Sequence, residues 1–423
     1  MRENIDILFY IEHVDRELDT AIEIKKYIQS QTKCTFVILS SIYHPVSSLL
    51  KYSPKVIVTP STSFGKGSIS WLFYKSSKIK PLFVNLNYEQ FISKWKGKYK
   101  TAKHYVSLNH QIQFCWGEYF KNFLIRSGSV KENVLVTGRP YFSLIKKKYL
   151  NKNFKKKIST ELKLDFSKKW NFIALTDGLA FINEKKVINI IKQGAIESGL
   201  RNHIKHVKET INILLNWIND LSKNNEKDIF ILRPHPSISV SQYNKLIINQ
   251  IGYVPKNLII SKKYTAHMWL VSSDKFLTNY STLAMDAKVL NKKFYIINPI
   301  KKLETEDYWW CKDGFSLETF NEFLILINDD KDPFKTYESD LFIKDFIDIQ
   351  KDGILETSNH LIRLLKTRRL NSNFSSFGFL CALLISPRRI LGSLVRNFFM
   401  KINFNPYGIV KKGISVDYLK PIK

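Results

Sequence analysis

Four cysteines in 423 residues, Cys34, Cys115, Cys311 and Cys381, stand far apart with no Cys-x-x-Cys pair. Neither a zinc site nor a disulfide framework is expected, and a reducing compartment fits. Long apolar runs are also missing: no stretch reaches the roughly 18 residues that a membrane-crossing helix needs. The start, Met1-Arg2-Glu3-Asn4-Ile5-Asp6, carries acids where a secretory leader needs a basic start and an apolar core. The expectation is a protein neither secreted by that route nor spanning a bilayer. Acidic residues are scarce, 37 Asp and Glu against 66 Lys and Arg, a net charge of +29. Nucleic acid, an anionic membrane and anionic substrates all suit that excess. Part of it follows from a chain-wide richness in Lys, Asn and Ile, as AT-rich coding produces. Nucleic acid ranks last, because the aromatics lie in apolar runs and are not interleaved with a basic stripe. Ser61 to Ser68, with Gly65-Lys66-Gly67, lacks phosphate-loop spacing. The acidic patch Asn328-Asp329-Asp330-Lys331-Asp332 sits in a polar turn before Pro333 and reads as a solvated loop. No metal and no cofactor is expected.

What is there is a repeated alternation. Apolar runs at Ile5 to Ile11, Thr35 to Leu39, Val56 to Val58, Leu82 to Leu86, Gln113 to Trp116 and Val134 to Val136 are separated by helical patterns such as Arg16 to Ile28. Apolar strands alternating with helices predict a parallel sheet covered on both faces. After the lysine-rich stretch Lys146 to Lys169 the alternation restarts with Phe172 to Leu175, Ile229 to Leu232, Leu258 to Ile260, Lys275 to Leu277 and Phe294 to Ile297. The longest intervening helical pattern is about His203 to Leu221. The fold class is α/β: two Rossmann-like doubly wound domains facing a cleft, the GT-B arrangement, with a C-terminal basic helical tail. The boundaries are 1–145 for an N-terminal acceptor domain, 146–170 for a linker, 171–345 for a C-terminal nucleotide-donor domain and 346–423 for the tail.

Two corners of the second domain carry the chemistry. Arg233-Pro234-His235-Pro236 directly follows the strand Asp228 to Leu232, and the prolines fix an Arg/His pair where a buried strand leaves its sheet. A rigid cationic corner suits a phosphate. The strand Lys275 to Leu277 runs into Thr278-Asn279-Tyr280-Ser281-Thr282 and then a helix. Ser281 or Thr282 is expected to cap that helix and leave its N–H groups to an anion.

Four motifs in order, Val84-Asn85-Leu86-Asn87-Tyr88-Glu89-Gln90, Phe114-Cys115-Trp116-Gly117-Glu118-Tyr119-Phe120, Val136-Thr137-Gly138-Arg139-Pro140 and Arg233-Pro234-His235-Pro236-Ser237, give the chain a resemblance to bacterial surface carbohydrate biosynthesis proteins, those of capsule and lipopolysaccharide. The resemblance covers roughly residues 80 to 300. The histidine-proline pair with a downstream hydroxyl pair also resembles polysialyl- and Kdo-transferases and the CDP-glycerol glycerophosphotransferases. It implies cytidine-activated donors, His235 at the donor phosphate, and Ser281 with Thr282 as the hydroxyl pair. The polysialyltransferases carry an acidic pair before glycine, whereas this chain has Thr176-Asp177-Gly178 with one acid.

The function expected is a metal-independent GT-B glycosyltransferase moving a sugar from a nucleotide-activated donor, CMP- or CDP-linked, onto a surface polysaccharide or lipopolysaccharide. A glycerophosphotransferase and a nucleotide-sugar epimerase are the alternatives. His235 and Arg233, with Asn279, Ser281 and Thr282, are the donor-phosphate candidates; a histidine tying two loops is the plainer reading of His235. Glu89 leads as the base for the acceptor hydroxyl, with Glu118 in reserve. Both also read as helix-starting glutamates. Asp177 is a catalytic candidate or an Asp-Gly turn residue. Gly138 permits a turn, and Arg139 faces the cleft or solvent. Residues 361–423 hold twelve Lys/Arg and one acid, Asp417, and Ile390, Leu391, Leu394, Val395, Phe398 and Phe399 form an apolar stripe beside Arg388, Arg389 and Arg396. The tail fits an interfacial anchor, or a helix packed on the second domain or crossing back to the first. Expected partners are a nucleotide-sugar donor, a glycan or lipid-linked glycan acceptor and an anionic inner-membrane surface, with no nucleic acid. The expected location is cytoplasmic, peripheral on the inner face of the membrane.

Overall fold

The computed structural model describes residues 2–61, 68–90, 105–192, 195–235, 238–300, 309–311, 314–329, 334, 345–368, 370–401, 419 and 421–422. Pro236, Ser237, Asp330 to Pro333 and Asp417 lie outside them, as do the side chains of Arg389 and Phe399. The chain divides into two compact units, one of residues 1–91, 100–144 and 344–423, the other of residues 92–99 and 145–343.

The first unit is built on β1 (Glu3–Ile11), β2 (Phe36–Ser40), β3 (Tyr52–Thr59), β4 (Leu82–Asn85), β5 (Gln111–Cys115) and β6 (Val134–Val136). All pairings are parallel, in the order β2-β1-β3-β4-β5-β6. The period-2 geometry of a strand explains why β1 reads as one apolar run. Leu8 and Tyr10 feed one core with Val37, Leu39 and Ile57, while Ile7, Phe9 and Ile11 feed the other with Phe36, Ile38, Val56 and Val58. Helix Val14–Gln31 covers the second face with Ala21, Ile24 and Ile28.

The C-terminal segment belongs to this unit. Leu361 of helix Gly353–Thr367 enters the core beside Ala21 and Ile24, and Ala382 and Ile390 of helices Ser376–Ile385 and Pro387–Lys401 enter the opposite core beside Trp71 and Val46. Of the two packing readings for the tail, crossing back to the first domain is the one realised. Glycine makes it fit: a Cβ on Gly353 would lie 2.6 Å from the Arg139 carbonyl carbon, and one on Gly117 2.5 Å from that of Phe346. Ile422 pairs antiparallel with Ile38, covering the edge of β2.

The second unit holds β7 (Lys169–Ala174), β8 (Asp228–Arg233), β9 (Leu258–Ile260), β10 (Lys275–Thr278), β11 (Tyr295–Ile297) and β12 (Phe315–Leu317), parallel, in the order β12-β11-β10-β7-β8-β9. The sequence pattern did not predict β12, whose three residues are too short for an alternation to show. The stretch expected as a linker is ordered instead. Helix Pro140–Tyr149 runs through its start, and helix Lys155–Leu162 buries Ile158 completely. The Phe154 N–H donates to Ser272 Oγ and Lys155 Nζ to Asp274. In helix Lys155–Leu162 a single buried residue among lysines gave too weak a period to read.

Candidate functional site

In the second unit the chain steps from β7 to β8 and β9 on one side, then crosses to β10 on the other. The carboxyl ends of β7 and β10 therefore flank a switch point, where open α/β sheets hold ligands. The turns after β7, β8, β9 and β10 carry Thr176-Asp177, Arg233-Pro234-His235, Lys262-Lys263 and Asn279-Tyr280-Ser281.

Asp177 ties two of these turns. Its side chain is fully buried; Oδ1 accepts the backbone N–H of His235 at 3.2 Å, and Oδ2 accepts the Tyr243 hydroxyl from helix Val240–Ile251. Burial pushes the carboxyl up to about 6 against those two hydrogen bonds. Asp177, expected as a catalytic candidate at the cleft, is placed as a brace for the His235 turn, with both oxygens engaged inside the unit. That turn closes through Ile238 N–H to His235 O at 2.9 Å, and Lys262 Nζ donates to Ile238 O at 3.1 Å. Arg233 reaches Lys263 O at 3.4 Å. Burial lowers the pKa of Arg233, and burial plus the nearby guanidinium lowers that of Lys262, with Asp177 opposing. Two cationic side chains are thus anchored on backbone carbonyls of one corner, an arrangement that suits an anionic ligand.

Asn279 spans the switch point: Oδ1 accepts the Thr176 N–H at 2.9 Å and the Tyr280 N–H at 2.7 Å, while Nδ2 is buried without a partner. Tyr280 donates its hydroxyl to Thr176 O at 2.9 Å. Ser281 Oγ accepts the Leu283 N–H at 3.3 Å and so caps helix Leu283–Val289, whereas Thr282 stands at the N-cap in helical geometry without a side-chain cap. The expected free N–H groups there are taken. Ser281 O accepts from Ala284 and Thr282 O from Met285, each at 3.1 Å, so the turn folds back on itself and leaves the corner's charge to the cations.

The remaining candidates belong to the first unit. Glu89 is exposed, 3.9 Å from Arg16 Nη1. Glu118 opens helix Glu118–Arg126 and pairs with Lys121 at 3.0 Å on the surface, the helix-starting alternative. Gly138 has φ +74°, the turn conformation expected. Arg139 lies over aromatic rings, its Cζ 4.5 Å from Trp116 and 4.7 Å from Phe142, so cation–π contact holds it. The motif around Glu89 is a buried amide ladder. Asn85 Nδ2 donates to Gln111 and Gln113, Asn87 Nδ2 to Gln113, and Gln90 both accepts the Trp116 N–H at 2.9 Å and donates to Phe114 O at 3.2 Å. Two of the four motifs are thereby stitched together, and their residues serve packing of polar groups in the core.

Sequence reasoning missed Lys262, whose signal was a lysine pair directly after a short apolar run. It also missed Glu17. This carboxyl in the first turn of helix Val14–Gln31 is buried, accepts the Glu12 N–H at 2.7 Å and is pushed by burial up to about 7. Among the described residues no group of three or more His, Cys, Asp and Glu is placed to hold a metal ion.

No family model matches the chain, and no curated relative is found. Solved structures do match. The wall teichoic acid polymerase TagF, soaked with CDP-glycerol, aligns with a TM-score of 0.53 at 14% identity over 86% of this chain and 89% of that one. A Staphylococcus aureus MnaA–UDP structure aligns with a TM-score of 0.53 at 11% identity over 88% and 100%. At such identities the likeness is one of fold: the chain is a two-domain α/β protein of GT-B type.

Proposed function

We propose that the protein is a metal-independent GT-B transferase that moves a sugar from a nucleotide-activated donor, CMP- or CDP-linked, onto a bacterial surface polysaccharide or lipopolysaccharide. The observation that carries the reading is the cationic corner of the second unit, where Arg233 and Lys262 are anchored on backbone carbonyls beside a His235 turn clamped by Asp177. A diphosphate seated there gains two charge-assisted contacts, and the same charges stabilise the leaving nucleotide without reorganising. Ser281, Thr282 and Asn279 complete that side of the site. The fold likeness to a polymerase soaked with CDP-glycerol and to a protein bound to UDP supports a nucleotide-linked ligand. The first of these favours a second reading, transfer of a glycerophosphate unit, in which the donor's phosphoanhydride bond breaks in place of a glycosidic one. Phosphate content of the product separates the two. The test of the site is thermal shift with CMP, CDP, UDP and GDP on wild type beside Arg233→Ala and His235→Ala. A shift with one nucleotide in wild type alone supports the reading; no shift with any at millimolar concentration removes it.

The place of action proposed is an anionic membrane surface. No single described helix is long and apolar enough to cross a membrane, but helices Ser376–Ile385 and Pro387–Lys401 meet at a sharp bend and expose large apolar side chains. Phe377 and Leu384 are 77% and 74% exposed, joined by Leu380, Leu391, Val395 and Phe398. Such a patch next to the exposed Arg388 matches an anionic headgroup layer in both polarity and charge. Binding to phosphatidylglycerol vesicles, lost in Phe377→Ser/Leu384→Ser, is the expected outcome; unchanged binding in that variant removes the assignment.

A further inference from the structure

Helix Pro387–Lys401 has two working faces. Leu391, Val395 and Phe398, at spacings of four and three, form the exposed one. Ile390, Ser393 and Arg396, at spacings of three, line a cavity of about 580 Å³ in the first unit. The cavity sits at this unit's own switch point. The chain passes from β1 to the edge strand β2 and returns across β1 to β3, and the walls are made by residues that follow those strands: Glu12, Ser41, Pro60 and Ser61. Ser68 and Ser70, the N-cap and first turn of helix Ile69–Lys75, complete a wall rich in hydroxyls.

Arg396 is the informative residue. Its Nε is buried with no hydrogen-bond partner, and its guanidinium makes no ion pair among the described residues. Ser70 Oγ and Ser393 Oγ, on side chains 1% and 3% exposed, are likewise buried without partners. A half-buried unpaired guanidinium beside unsatisfied hydroxyls is costly in an empty site and is repaid by an anion that accepts several hydrogen bonds. Glu12 is the carboxylate of the wall, so the anionic end of a ligand belongs at Arg396 and a neutral, hydroxyl-bearing part toward Glu12.

We propose that this cavity binds the phosphate of a membrane-borne acceptor, with Arg396 as the counter-charge and Ser70 and Ser393 as hydroxyl donors, delivered along the helix whose outer face lies on the lipid. The assignment names the acceptor chemistry of the transferase reading and rests on that reading for its role, but its binding site lies in the other unit.

The experiment is equilibrium binding of two soluble probes, glycerol 3-phosphate and dioctanoyl phosphatidic acid below its micellar concentration, to the full chain. Wild type binds the lipid probe more tightly than the free phosphate. Arg396→Gln weakens the lipid probe by about tenfold or more, while Arg396→Lys recovers part of the loss. Ser393→Leu, which fills the cavity and keeps the charge, abolishes binding. A melting temperature measured on each variant identifies any that fails to fold, and the Lys variant then carries the test. Equal affinity for both probes overturns the lipid source, and binding unaffected by Arg396→Gln and Ser393→Leu overturns the site. Nucleotide thermal shifts of Arg396→Gln match wild type. Phosphatidic acid binding without any nucleotide shift leaves the cavity assigned and removes the transferase; the converse removes the cavity.

Discussion

The carboxylate of Asp177 accepts the backbone N–H of His235 at 3.2 Å across 58 residues of chain. The proline-flanked corner is thus fixed by a buried carboxylate from the neighbouring turn. Asp177→Ala leaves the Tyr243 hydroxyl and the His235 N–H without their buried acceptor, at a cost of about 1–3 kcal/mol. The expected result is a lower melting temperature together with a weakened nucleotide shift. Asp177→Asn is expected to keep part of both, because an amide oxygen still accepts.

Asp177 also sets a pH window. Its folded pKa, about 6, lies above the ordinary 3.8, so the folded state holds the proton more tightly than the unfolded state. Stability from this group is full below pH 4 and is lost as pH rises through 6. Glu17 behaves alike, with loss between about 4.5 and 7. Glu17→Gln keeps the Glu12 N–H contact, removes the buried charge, and is expected to stabilise the chain at pH 8 by on the order of 2–3 kcal/mol while flattening that part of the pH profile. Chemical denaturation at pH 5 and pH 8 reads both.

The C-terminal helices separate packing from surface. Ile390 is 2% exposed in the core, so Ile390→Ser is expected to cost about 2–4 kcal/mol in denaturant unfolding. Phe398→Ser, on the outer face, is expected to change stability by less than about 0.5 kcal/mol and to weaken vesicle binding. Removing residues 374–423 strips Ala382 and Ile390 from that core and should expose the first unit to aggregation, read by light scattering.

Glu118 is a surface residue in the first turn of its helix, paired with Lys121. Glu118→Gln is expected to leave transfer activity within about twofold of wild type and stability within about 0.5 kcal/mol. A loss of a hundredfold or more in turnover would instead support it as the base.

Gly353→Ala brings a methyl against the Arg139 backbone at 2.6 Å, where neither backbone can yield cheaply. A destabilisation of about 1–3 kcal/mol is expected in denaturant unfolding. It should fall on the first unit, whose closing segment begins there.

The sequence by itself determined the two parallel sheets, because strands buried on both faces must be apolar at every position, as Ile7 to Ile11 and Ile229 to Leu232 are. It also located the Arg233/His235 corner, since proline restricts the backbone whatever the surroundings. Tertiary structure decided the rest. β12 is three residues long and exists through its pairing with β11. The basic tail became part of the first unit because Leu361, Ala382 and Ile390 meet cores built some 300 residues earlier, a relation no local period encodes. Asp177, Glu17 and Arg396 look alike in a list of charged residues. Burial, the N–H groups they meet and the space beside them distinguish a brace, a raised carboxyl and an unpaired cation, and those are properties of the folded chain.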